Sequence, residues 1–368
     1  MWLWLNQKVC LSRSKQLKLL EHFGNIENIY NGSLSDYTEL EFLTEDELNL
    51  LTKKDTDICY EEIQKLKKLK GGVITIDSPQ YPELLKTISS PPTVLYYRGN
   101  LVDLNSSLCI AVVGTRKATD YGKQCSLSIS RQLSLSGVVI VSGLAMGIDA
   151  KAHEGALKGG SPTVAVIGCG VDIAYPKSNA SLMREIIEKG MVISEYPLGT
   201  TPEKYHFPER NRIISGICHG TLVVEADFKS GSLITAKYAT EQNRDVFAIP
   251  GNINSVYSKG SNYLLKDGAH FVTVSDDVLD FYKYDYPQFF VNSPSVVKPT
   301  VEEYVPVFGS PEERILTAIG ENTIHTDTIC ENTGLDIGTI NSTLLMMELS
   351  GRIIKLPGGY YTRTKNIE

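Results

Sequence analysis

Residues 108–116 read LCIAVVGTR, and this stretch decides the fold class. An uncharged run of this length is typical of a β-strand buried on both faces, and the Gly-Thr-Arg that follows marks a loop. Similar runs recur at 138–142, VVIVS, and at 163–168, TVAVIG. Buried strands that alternate with helical segments predict a parallel α/β sheet.

This alternation continues from residue 108 to about residue 274. In such sheets, ligands bind at the carboxyl ends of the strands. The pattern predicts strands at 108–113, 138–142, 163–168, 191–194, 221–225, 245–249 and 270–274. It predicts helices at about 120–136, 149–158, 178–189, 208–218, 232–242 and 259–267.

The segments on either side of the sheet have other patterns. Residues 1–70 carry helical stripes and predict a small helical domain of the SAM or helix-hairpin-helix kind, in which Thr44 and Glu47 have capping-box spacing. The main domain then covers 71–282, with an extended, proline-punctuated lead-in at 73–98.

The C-terminal part begins with a proline-rich stretch, 283–310, which predicts a linker. Residues 311–365 then predict three helices and a β-hairpin, the elements of a winged helix. Its third helix, about 337–349, has no Lys or Arg and is therefore poorly equipped to bind the phosphates of DNA. DNA readout and protein contact both remain open for this domain.

The composition excludes several classes of protein. Formal net charge is −7, so an anion site must be local, built from a few cations and backbone N–H groups. The seven cysteines are scattered without a CxxC pair, which argues against a disulfide framework or a structural zinc site. No apolar run approaches the roughly 20 residues of a membrane span. We therefore expect a cytoplasmic protein without metal or membrane attachment.

Two loops that follow predicted strands have residues that favour the binding of a phosphate group. Gly114 lets the backbone approach an anion closely, and Arg116 can then form a bidentate contact to its oxygens. Farther on, Ser230-Gly231-Ser232 opens a helix, whose N–H groups and dipole favour an anion. The alternatives are an ion pair of Arg116 with Asp120 and plain helix capping by the serines.

The segment YHFPERNR, residues 205–212, places aromatic rings beside two arginines. Aromatic faces stack on unpaired bases, and arginines bind phosphates. Arg210 and Arg212 are two residues apart, so within a helix they point to nearly opposite sides and cannot both hold one phosphate. For Phe207 a buried packing role is the alternative, and for Lys177, at another strand-to-helix junction, a solvated side chain is the alternative.

No catalytic constellation is evident in the sequence. Asp149 and His153 share a helix face, but Asp149 also fits a helix N-cap. The loop after residue 113 lacks the GxGxxG of dinucleotide binders, and no Walker lysine motif occurs. We therefore expect no enzyme activity and no cofactor.

A set of motifs, taken in order over about residues 72–274, resembles the DNA-processing protein A family (DprA, also called Smf). The matching stretches are AVVGTRKATDYG, VSGLAMGIDAKAHEGAL, VAVIGCGVDIAYPKSN, ISEYPLGTTPEKYHFPERNRIISG and VVEADFKSGSLITAKYATEQNRDVFAIPGNI, followed by KGSNYLLKDGA. The resemblance implies that the α/β sheet is an extended Rossmann-like core, and that this domain binds single-stranded DNA without base specificity. It also implies a homodimer that hands the strand to the RecA recombinase during natural transformation.

The resemblance also assigns residues to DNA binding. The family's GxR motif falls on Gly114, Thr115 and Arg116, and its pocket lysine on Lys177. The remaining motif positions are Phe207, Arg210, Asn211, Arg212, Ser230, Gly231, Ser232 and Thr235.

The main competing class is a nucleotide phosphoribohydrolase of the lysine-decarboxylase-like type. Those enzymes act through the glutamate of a PGGxGTxxE motif. The comparable position here, three residues after Thr235, is Tyr238, so the catalytic carboxylate is absent.

Overall fold

The structure, a computed structural model, describes residues 1–289, 309–320, 323–349, 352–356 and 358–363. The chain divides into two compact units, Met1–Val296 and Val297–Glu368. Among these described residues, no helix has both the length and the apolar character needed to cross a membrane.

A nine-stranded sheet forms the centre of the first unit, in the order β1-β2-β6-β5-β4-β3-β7-β8-β9. The strands from β3 to β9 all run parallel, whereas β1 and β2 are antiparallel to their neighbours. Their bounds are β1 Gly71–Thr75, β2 Val94–Gly99, β3 Cys109–Val113, β4 Val139–Ser142, β5 Thr163–Val166, β6 Met191–Ser194, β7 Gly220–Val223, β8 Asp245–Ala248 and β9 His270–Phe271.

The extended Rossmann-like core expected from the sequence is thus confirmed. The extended lead-in predicted at 73–98 contributes two further strands to this sheet, β1 and β2. Strand β1 pairs with β2, and β2 pairs with β6, with Tyr96 opposite Ser194. The sequence pattern did not indicate these strands, because prolines interrupt the segment, and prolines are rare within strands. Pro92, for example, lies just before β2.

Both faces of the sheet are covered by helices. In β3, Ile110 and Val112 pack in one cluster with α7 and α8, while Ala111 and Val113 pack in another with α10 and α11. This division explains why the strand reads as a continuous apolar run. The helices are α6 Glu83–Lys86, α7 Asp120–Leu135, α8 Ile148–Gly159, α9 Ala180–Lys189, α10 His206–Ile217, α11 Gly231–Glu241, α12 Lys259–Lys266 and α13 Ser275–Lys283.

Five α-helices and a short π-helix, Trp4–Lys8, precede the sheet, and their buried apolar residues share one cluster with it. Trp4, fully buried, belongs to the same apolar cluster as Tyr96 and Val192 of the sheet. The predicted capping box is present, with the Thr44 hydroxyl accepting from the Glu47 N–H at 3.3 Å. The helices are α1 Arg13–Phe23, α2 Ile26–Asn31, α3 Leu34–Thr38, α4 Glu45–Lys53 and α5 Asp57–Lys68.

The second unit is a winged helix, as the sequence predicts. Most of the predicted linker lies outside the described residues, as do Gly351 and Pro357 within the segment predicted as a winged helix. The exposed face of its third helix carries Leu345 and Met346, which are 55% and 63% exposed. The elements are α14 Pro311–Ile319, β10 Ile324–His325, α15 Thr326–Thr333, α16 Ile337–Leu349, β11 Ile353–Leu356 and β12 Tyr360–Arg363.

Candidate nucleic-acid interface

The direction of chain progression reverses between β3 and β7, which lie side by side at the centre of the sheet. Such a switch point leaves a crevice at the carboxyl ends of the strands. A groove of about 570 Å³ occupies this position. We call it the strand-end groove. It is lined by the loop Gly114–Lys117 after β3, by residues near the start of α10 and by residues that lead into α11, namely Phe207, Pro208, Arg210, Asn211, Asp227, Lys229, Ser230, Gly231 and Ser232.

Gly114 is required at the floor of the groove because of packing. A Cβ at this position would lie 2.5 Å from Ile148 Cγ1 and 2.9 Å from the Glu225 carbonyl oxygen. The next residue, Thr115, donates its N–H to that same carbonyl at 2.7 Å. The loop is therefore fixed to the segment that follows β7, and the Thr115 N–H is not available to a phosphate.

Arg116 is exposed and projects over the ring of Phe207, with its guanidinium carbon 5.6 Å from the ring centroid. Phe207 in turn stacks on Tyr175, with centroids 5.3 Å apart and planes inclined by 29°. The alternative pairing with Asp120 is not seen, since Asp120 pairs with Lys123 at 3.1 Å. An arginine and two aromatic rings thus form one continuous stack at the groove wall.

The start of α11 supplies backbone donors. The Ser230 side chain caps the helix by accepting from the Ser232 N–H at 3.4 Å, as helix capping requires. The Gly231 N–H, in contrast, has no acceptor in the described part of the chain. Gly231 is also exposed, and a Cβ there would meet nothing within 4 Å. This helix end can therefore receive an anion.

Arg210 lies in α10, as Phe207 does, but it is only 5% exposed. Its guanidinium donates to the carbonyl oxygens of Gly143, at 2.8 Å, and Val166. It therefore ties α10 to the ends of β4 and β5. Gly143 makes room for it, because a Cβ there would lie 2.5 Å from an Arg210 nitrogen. Burial lowers the pKa of Arg210 to about 10.

Two other ionisable groups are buried beneath the groove. Gly147, with φ 81°, holds the N-cap position of α8 that the sequence suggested for Asp149. Asp149 lies in the first turn instead and accepts from the Gly143 N–H at 3.2 Å. Burial raises the pKa of Asp149, although Arg210 opposes the shift. Burial lowers the pKa of His153 to about 3, and its Nδ1 pairs with the Thr163 hydroxyl at 2.8 Å.

Arg212 points away from Arg210, as two-residue spacing in a helix predicts. Its guanidinium donates to the Ser90 carbonyl at 2.6 Å and pairs with Glu195 at 2.5 Å. It is 7% exposed and does not line the groove. Lys177 is exposed in a short 3-10 turn, Lys177–Asn179, also outside the groove lining.

The groove thus brings together ten of the twelve residues that the sequence assigned to it. Sequence reasoning missed three lysines that also line it, namely Lys117, Lys204 and Lys229. All three are exposed, and none has an ion-pair partner among the described residues. The sequence could have indicated these three lysines, because they lie next to the GTR and SGS loops and just before YHFPERNR.

Comparison with known proteins assigns both units. The model of the family "DNA recombination-mediator protein A" matches residues 72–283, and that of the "DprA winged helix domain" matches 309–359. A curated relative, Protein Smf of Synechocystis sp., is 34% identical over 94% of this chain and 94% of its own length.

Two solved structures are also similar. The X-ray structure of DNA processing protein A (DprA) from Streptococcus pneumoniae has a TM-score of 0.67 and 39% identity, covering 74% of this chain and 94% of that one. A Helicobacter pylori DNA processing protein A, whose title describes its single-stranded DNA binding mode, has a TM-score of 0.53 and 32% identity, covering 58% and 97%. The chain belongs to the DNA recombination-mediator protein A family, the DprA or Smf proteins, as its motifs indicated.

Proposed function

We propose that the strand-end groove binds single-stranded DNA without base specificity. The observation that carries this proposal is the stack of Arg116, Phe207 and Tyr175, which lies in a groove with exposed lysines. A duplex keeps its bases stacked inside, whereas an unpaired strand can place a base against such rings. The binding mode named for the Helicobacter pylori relative supports the same ligand.

In this proposal Arg116 and the three lysines contact successive phosphates. The exposed Gly231 N–H at the start of α11 adds a backbone donor. Lys177 follows Tyr175 by two residues and contacts the strand beyond the stack. Arg210, Arg212, Thr115 and Thr235, all buried, shape the site rather than touch phosphate.

We propose that the protein acts without catalysis. The carboxylate beneath the groove, Asp149, is 6% exposed and held by a backbone N–H. His153 is fully buried, so it has no path to a substrate in the groove. Both groups are thereby engaged in packing, which supports a binding role.

Family membership also supports a role for this protein in protecting incoming DNA and loading RecA during natural transformation. If so, adding the protein should raise the DNA-dependent ATP hydrolysis of RecA on an oligonucleotide at limiting RecA. An unchanged rate would contradict the loading role.

We further propose a homodimer in the cytoplasm. Among the described residues, the edge strand β9 leaves Phe271 59% exposed, and an exposed apolar residue at a sheet edge favours pairing with a second chain. Light scattering should then give twice the 40.6 kDa chain mass. A value of one chain mass at micromolar concentration would contradict it.

For the winged helix we propose a protein contact. The exposed Leu345 and Met346 on α16, a helix without Lys or Arg, favour a protein over a DNA backbone. Removing residues 309–368 should therefore leave the affinity for an oligonucleotide unchanged, and a loss of affinity would refute this assignment.

Substituting Phe207 by Leu tests base stacking in the groove. Stacking of a base on an aromatic ring contributes about 1–3 kcal/mol, so we expect an affinity loss of about tenfold for oligo-dT. Leu keeps an apolar side chain against Tyr175, so the fold should be retained. The measurement is fluorescence anisotropy of a labelled oligonucleotide.

A matched control is Tyr205→Leu, which removes the neighbouring, 63% exposed aromatic that does not line the groove. We expect it to bind like the unaltered protein. Full affinity in the Phe207 variant, or equal losses in both, would rule out a specific stack on Phe207.

A further inference from the structure

An ion-pair network joins the N-terminal helices to the helix that forms one wall of the groove. Arg13, the first residue of α1, places one terminal nitrogen 3.2 Å from Glu195 and the other 3.1 Å from Glu209. The guanidinium fork thereby bridges two carboxylates from different elements. A lysine ammonium, which is a single point charge, cannot form such a bridge with two arms.

Both carboxylates are tied to α10. Glu195 directly follows β6 and also pairs with Arg212 of α10 at 2.5 Å. Glu209 lies in the first turn of α10 and accepts from the Tyr196 hydroxyl at 3.3 Å. Tyr196 also stacks on His206, the first residue of α10, at 3.9 Å between centroids. The network therefore fixes the position of the helix start.

The same helix start carries groove residues. Phe207, Pro208 and Asn211 line the strand-end groove, and Glu209 sits between them in the sequence. The Glu209 side chain is 44% exposed. Without a cation beside it, this carboxylate would be a negative charge within one helical turn of the residues proposed to contact DNA. Such a charge repels phosphate.

We propose that Arg13 is a positioning residue for the DNA groove, acting through Glu209, since Glu195 keeps its ion pair with Arg212 when Arg13 is removed. This inference rests on the proposed DNA-binding function. It gives the N-terminal helices a role in DNA binding: they hold the first turn of α10 in place and neutralise its carboxylate. Arg13 does not line the groove, so it acts without touching the strand.

The test is a double-mutant cycle between Arg13 and Glu209, read out as oligo-dT affinity at several salt concentrations. Arg13→Ala should weaken binding about fivefold, a size typical of coupled neighbours. The salt slope should stay unchanged, because no phosphate contact is removed. In a Glu209→Gln background, the same Arg13 substitution should change affinity by less than about twofold.

A matched control lies two residues away on the same helix. Lys15→Ala removes the Lys15–Glu47 ion pair, which measures 2.6 Å and stays within the N-terminal helices. We expect it to leave DNA affinity unchanged. Equal losses for Lys15→Ala and Arg13→Ala would mean that general loosening of these helices is responsible, and would overturn the proposal.

Three other outcomes would overturn it. Arg13→Ala could bind as tightly as the unaltered protein, could reduce the salt slope as a direct phosphate contact would, or could keep its full effect in the Glu209→Gln background. If the unaltered protein itself fails to bind oligo-dT, the proposed function fails instead. The two failures are therefore distinguishable.

Discussion

Replacing Arg210 by Met should lower the free energy of unfolding by about 3–5 kcal/mol. The guanidinium is 5% exposed and donates to the carbonyls of Gly143 and Val166. Without it, both buried acceptors lose their partner, and Asp149 loses the nearby positive charge that opposes its rise in pKa. Met fills a similar volume, so the loss reports the missing donors and charge rather than a cavity. Urea denaturation followed by circular dichroism measures it.

The sequence alone suggested a different role for Arg210, as a phosphate contact in the FPERNR motif. That role predicts the opposite pair of results: unchanged unfolding free energy and a salt slope of DNA binding reduced by about 0.7. Arg210→Lys is a second variant, which keeps the charge but is one bond shorter, so its ammonium falls short of the position from which Nη1 donates to both carbonyls. We expect it to be destabilised as well, and a fully stable lysine variant would contradict the structural role.

Replacing Arg116 by Ala should weaken oligo-dT binding by about tenfold, since hydrogen bonds to charged groups contribute about 1.5–3 kcal/mol. Arg116 is exposed, and its guanidinium lies over Phe207, the position from which we propose that it contacts the phosphate beside a stacked base. Loss of one phosphate contact on a single strand should also reduce the salt slope by about 0.7. Filter binding over a range of salt concentrations measures both quantities.

Arg184→Ala is the matched control for this variant. Arg184 is an exposed arginine on α9 that does not line the groove. It removes the same net charge, so any affinity change that it causes reports long-range electrostatics alone. Equal effects of the two substitutions on affinity and salt slope would contradict a direct contact by Arg116.

Much of the central sheet could be predicted from the sequence, because a parallel strand covered on both faces must be apolar throughout. The predicted strand 108–113 corresponds to Cys109–Val113, and 191–194 to Met191–Ser194. The antiparallel strands β1 and β2 were described only as extended. Their pairing with β6 is a long-range contact, and the local pattern around four prolines carries no signal for it.

The candidate site was predictable in position but not in the role of each side chain. The GTR and FPERNR motifs assign Arg116, Arg210 and Arg212 to one site, yet only tertiary packing decides which of these side chains is exposed. Arg210 meets strand-end carbonyls and Arg212 meets Glu195, so both are buried. The local sequence contains no indication of a role for Arg13, because its two ion-pair partners lie more than 180 residues away along the chain.

The most direct measurement of the central claim is a titration of the unaltered protein with single-stranded and double-stranded DNA of the same length, at two salt concentrations. We predict tighter binding of the single strand at both concentrations, with an affinity that falls as salt rises. Equal affinity for the two forms, or binding of the single strand that does not respond to salt, would contradict a groove that combines stacked rings with phosphate-binding cations.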